Sequence, residues 1–77
     1  MLEDHYPSLA AWVRHHGWIE VGRDEYSHSF IRVLDIGGMI WQGAEEYGTL
    51  DAALQAADQA VANWLRQHLG QRPSPPD

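Results

Sequence analysis

Residues 49–70 read TLDAALQAADQAVANWLRQHLG, and in them Leu50, Ala53, Leu54, Ala57, Val61, Trp64, Leu65 and Leu69 recur at helical spacing. The stretch predicts an amphipathic helix. Thr49 is placed to cap the first free amides, Asp51 falls in the first turn where the helix dipole favours an anion, and Gly70 can end the helix in a left-handed conformation. The opposite side carries Asp51, Gln55, Asp58, Gln59, Asn63, Arg66 and Gln67, which is expected to face solvent. A helix of this kind needs a surface on which to bury its stripe, and that surface lies upstream.

From Trp18 to Gly22 the apolar period falls to two, with Ile19 and Val21 on one side and Trp18 and Glu20 on the other, as in a strand. After the charged turn Arg23-Asp24-Glu25, Tyr26 to Leu34 is rich in β-branched and aromatic residues and predicts a second strand. Asp35-Ile36-Gly37-Gly38 supplies a hairpin turn, and Met39 to Gln42 a third strand. Further back, Pro7 suits the first turn of a helix whose Leu9, Trp12 and Val13 share a face before Gly17 stops it. The expected fold class is α+β in the order αβββα, a three-stranded antiparallel meander with both helices packed on one face. Residues 1–5 are expected to form a flexible N-terminus, 6–70 a single domain, and 71–77, QRPSPPD, a disordered Pro-rich tail.

With 77 residues there is material for one small core, and with no cysteine there are no disulfides, thiolate metal sites or cysteine nucleophiles. Four Trp, three Tyr and one Phe must therefore supply much of the packing. Five arginines, no lysine and eleven acidic residues give a net charge of −6, which repels phosphate backbones and anionic lipid. Met1 to His5 lacks the basic and apolar regions of a signal peptide, and no apolar run approaches bilayer length, so a soluble cytoplasmic protein is expected.

The αβββα order and the alanine-rich run Ala52-Ala53-Leu54-Gln55-Ala56-Ala57 resemble the double-stranded RNA-binding domain over Pro7 to Leu69. Members of that family that bind RNA place lysines at the start of the last helix, whereas here Thr49, Leu50, Asp51 and Ala52 occupy those positions. The resemblance therefore implies the fold without the RNA grip. Thr49-Leu50-Asp51-Ala52-Ala53 is also similar to the helix opening of antitoxins related to the HicB family, which implies a regulatory module. Tyr6-Pro7-Ser8-Leu9 and Gly17-Trp18-Ile19-Glu20 resemble short bacterial proteins of cyanobacterial type, a likeness that implies a fold and no activity.

Three groups of residues could carry function. Asp24, Glu25 and His28 cluster around the first hairpin and would be the ligands or acid/base groups of a small metal-dependent enzyme; Ser27 and Ser29 lie on the strand face opposite His28. His15 and His16 are adjacent, so on a helix they diverge by about 100° and cannot share an ion without distortion. The third group is aromatic. If Ile19, Val21, Ile31, Val33 and Ile40 face the helices, then Trp18, Phe30, Leu34, Met39 and Trp41 lie on the other face, with Glu20 and Arg32 paired among them. An apolar face of that extent marks a contact with another molecule. The sequence thus favours a non-enzymatic interaction module that requires no cofactor or metal. Trp18, Phe30, Arg32 and Trp41 would be its binding residues, and a protein partner or a second copy its ligand.

Overall fold

The computed structural model describes residues 2–22 and 28–70. Its elements are α1 (Leu2–His5), α2 (Pro7–His15), β1 (Gly17–Val21), β2 (Ile31–Asp35), β3 (Gly38–Gln42) and α3 (Leu50–Leu65), which runs into a π-helical turn at Arg66–Gly70. The α+β class holds, with helices before and after a three-stranded antiparallel sheet of order β1-β2-β3. Residues 2–5, expected to be flexible, form a helical turn, and Glu3 there pairs with Arg14 of α2. Tyr26 and the turn 23–25, which the sequence assigns to the first hairpin, lie outside the described residues, as do the tail 71–77 and the side chain of Leu69.

The core follows from two alternations meeting. On β2, Ile31 and Val33 are fully buried while Arg32 and Leu34 are not, so one sheet face is sealed. Against that face lie Tyr6, Leu9 and Trp12 from the first helical segment and Ala53, Ala57 and Val61 from α3. The alanines let the α3 backbone approach the sheet, and Trp12 fills the space between the two helices. Two residues assigned to the buried stripes by spacing fall at their margins: Val13 is 43% and Leu50 55% exposed.

The starts of α2 and α3 are capped by different means. Thr49 Oγ1 accepts from the Ala52 amide at 3.0 Å, as its position predicts. The N-cap of α2 is Tyr6, which has no capping side chain; instead Asp58 Oδ1 of α3 accepts from the Leu9 amide at 2.8 Å, and the Tyr6 hydroxyl donates to Asp51. Asp51 and Asp58 are seven residues apart and so lie along one line of α3. Asp58 is thus removed from the solvent face to which spacing assigned it, and its charge lies at the positive end of α2.

The junction of α2 and β1 depends on a close approach. Trp12 Nε1 donates to the Leu34 carbonyl at 2.9 Å, and a Cβ at Gly17 would lie 2.0 Å from that oxygen and 2.9 Å from Nε1. Only glycine fits. At the second hairpin the two-residue turn Ile36-Gly37 is held by the Gly37 amide donating to Asp35 Oδ1 at 2.8 Å, and Gly38 takes a positive φ of 128°.

Candidate interaction site

The outer face of the sheet is set by register. Between β1 and β2, Trp18 pairs with Leu34 and Glu20 with Arg32; between β2 and β3, Leu34 pairs with Met39 and Arg32 with Gln42. Two rows result, Trp18-Leu34-Met39 and Glu20-Arg32-Gln42, one apolar and one polar. Both lie opposite the buried pair Ile31 and Val33.

Arg32 organises the polar row. Its Nε donates to Glu20 Oε1 at 3.2 Å, Nη1 to the Ser29 carbonyl at 2.7 Å and to Ser29 Oγ at 3.3 Å, and Nη2 to the Gly22 carbonyl at 3.1 Å. Trp18 Nε1 donates to the second Glu20 oxygen at 3.3 Å. The expected Glu20–Arg32 pair is present. With its side chain only 11% exposed, the guanidinium fastens the ends of the first hairpin to the sheet, and it presents little surface to a ligand.

The apolar row is open. Trp18 is 45% and Met39 49% exposed, Leu34 is half-buried between them, and Ile36 at the hairpin turn beyond them is fully exposed. No described helix packs on this side; α2 and α3 contribute to the core on the other face. The patch is thus a small apolar ridge bordered by Arg32, Glu20 and Gln42.

Phe30 and Trp41 do not join it. Strict alternation puts Trp41 outside, but the pairing slips between Val33 and Leu34: Val33 opposes Trp41 whereas Leu34 opposes Met39, leaving Ile40 as an extra residue on β3. The bulge turns Trp41 to the helix side, where it is partly buried against the core with Ile40 and Trp64. Phe30 precedes β2. Its amide donates to the Ala44 carbonyl at 2.8 Å and its ring tilts against Tyr47 at 6.3 Å, on the margin of the core. Of the four residues singled out, Trp18 and Arg32 share the outer face, while Phe30 and Trp41 pack on the other. Ile36 was legible in the sequence as an apolar residue in a turn, and no described residue of the chain covers it.

Of the hairpin cluster, Asp24, Glu25 and Ser27 lie outside the described residues. His28 is exposed with Nδ1 3.6 Å from Glu45, and Ser29 is buried and bonded to Arg32. Among the described residues no three His, Cys, Asp or Glu side chains gather as metal ligands, and no helix is long and apolar enough to cross a membrane. Comparison of the chain with protein-family models, curated proteins and solved structures finds no match.

Proposed function

We propose that the chain is a cytoplasmic protein-interaction module whose contact face is the apolar ridge Trp18, Leu34, Ile36 and Met39 on the outer side of the sheet. One observation carries the reading: the sheet buries one face under both helices and leaves on the other a row of large apolar side chains. Such side chains add little to the stability of the monomer while they stand in water, and they gain when a second surface removes them from it. Trp18 and Met39 suit an anchoring role because an indole and a thioether bury large area with few polar groups to satisfy. The ligand that fits is the apolar surface of another protein or of a second copy.

The start of α3 speaks against phosphate as the ligand. Thr49 is spent as a cap, Leu50 is exposed and Asp51 holds Tyr6, so no cation stands where double-stranded RNA-binding domains that grip RNA place their lysines.

The test is affinity capture from the source cells with the parent chain and with a Trp18→Ser, Met39→Ser double variant of matched folding. A protein retained by the parent and lost by the variant supports the proposal. Identical captured sets, or failure of the parent to retain either a partner or a second copy, would overturn it.

A further inference from the structure

The two edges of the sheet differ. β3 carries the bulge at Ile40, a device that spoils an edge as a template for further strands. β1, Gly17-Trp18-Ile19-Glu20-Val21, has no bulge, proline or lysine, and its one charge, Glu20, is held on the outer face by Arg32 and Trp18. No described strand pairs with its second edge.

Register decides which backbone groups lie along that edge. The Gly22 amide donates to the Phe30 carbonyl at 2.6 Å, and antiparallel pairs alternate from that point. Glu20 with Arg32 and Trp18 with Leu34 exchange hydrogen bonds, whereas Gly17, Ile19 and Val21 sit in the non-bonded pairs. The N–H and C=O groups of Gly17, Ile19 and Val21 therefore point away from β2. The side chains agree: Val21 is 45% exposed although Ile31 opposite it is fully buried, so the core ends at this edge.

We propose that β1 pairs antiparallel with β1 of a second copy about a two-fold axis at Ile19, joining the two sheets into one. In that register Ile19 faces Ile19 and Gly17 faces Val21, so each outward N–H and C=O of the strand meets a partner. Val21 comes to lie beside a glycine, which leaves its side chain room. On the outer face Trp18 lies opposite Glu20 of the second copy. Moving the axis one residue, to Glu20, would set two carboxylates against each other. The strand is thus complementary to itself, and this selects a second copy over an unrelated strand. Five residues a side make a small contact, so a dissociation constant on the order of 10–100 µM is expected. The inference concerns the edge of the sheet and does not rest on the reading given for its outer face.

Amide hydrogen exchange of the full chain, followed by NMR as its concentration is raised, tests the pairing. At dilution the Trp18 and Glu20 amides, bonded to β2, should exchange slowly and those of Ile19 and Val21 fast. Above the dissociation constant Ile19 and Val21 should slow several-fold while sedimentation velocity reports a dimer. Val21→Pro removes an outward N–H without touching the ladder to β2, and should hold the folded chain monomeric. Ile36→Ser combined with Met39→Ser should leave the dimer intact. A parent chain that stays monomeric far above that constant would overturn the proposal. So would a dimer that survives in folded Val21→Pro, one lost in the Ile36 and Met39 variant, or one in which Ile19 and Val21 exchange as fast as at dilution. Slow exchange of both amides already at dilution would overturn it too, by showing that the edge is covered within one chain. The parent's exchange pattern decides the matter even where Val21→Pro does not fold.

Discussion

Trp12 is fully buried, donates its indole N–H to the Leu34 carbonyl, stacks on His16 at 5.2 Å and meets Trp64 edge-on at 5.2 Å. Removing it deletes a large ring and one hydrogen bond between α2 and the sheet. Trp12→Ala should therefore cost about 3–5 kcal/mol, close to the whole stability expected of a domain this small, and the variant should be largely unfolded by circular dichroism. Trp64, being only partly buried, should cost less when truncated. Gly17→Ala adds one methyl, yet its Cβ would meet backbone at 2.0 Å, so a loss of about 1–3 kcal/mol in urea denaturation is expected. A Gly17→Ala variant as stable as the parent would show that the helix can retreat from the sheet at no cost. Spacing alone identified Trp12 as a core residue. The bond to Leu34 was not legible, because it joins residues 22 apart in a register that only the folded sheet defines.

Among the elements, the helices and the strand order were readable because their signals are local: a cap, a period, a glycine turn. Two features were not. Asp58 sits among polar residues of α3 and gives no sign in sequence that it serves another helix, yet it supplies the cap that Tyr6 lacks. Asp58→Ala should destabilise the protein by about 1 kcal/mol, as should Thr49→Ala. Combining Thr49→Ala with Asp58→Ala should be nearly additive, since the two caps serve different helices. A neutral Asp58→Ala in thermal melts would mean the α2 amides are satisfied equally well by water. The bulge on β3 is the second feature. Met39, Ile40 and Trp41 are all apolar, so the run has no polar residue to mark its phase, and a one-residue slip passes unseen while carrying Trp41 to the opposite face.

At the scale of the molecule, the described residues form a two-layer arrangement in which no described element covers one side of the sheet. The sequence predicted an uncovered face and correctly assigned Trp18, Leu34 and Met39 to it, but distributed the aromatics too simply. The acidic balance and the occupied start of α3 predict no binding to duplex RNA; submicromolar, salt-sensitive association at physiological ionic strength would contradict that. The central claim is that the ridge Trp18, Leu34, Ile36 and Met39 is covered by another protein surface in the cell. Hydroxyl-radical footprinting tests it directly, because tryptophan and methionine side chains oxidise according to their exposure. In the purified monomer Trp18 and Met39 should both oxidise readily. In an extract of the source cells, at equal radical dose, their oxidation should fall several-fold while that of exposed His28 is unchanged. Equal oxidation of Trp18 and Met39 in buffer and in extract would contradict the account.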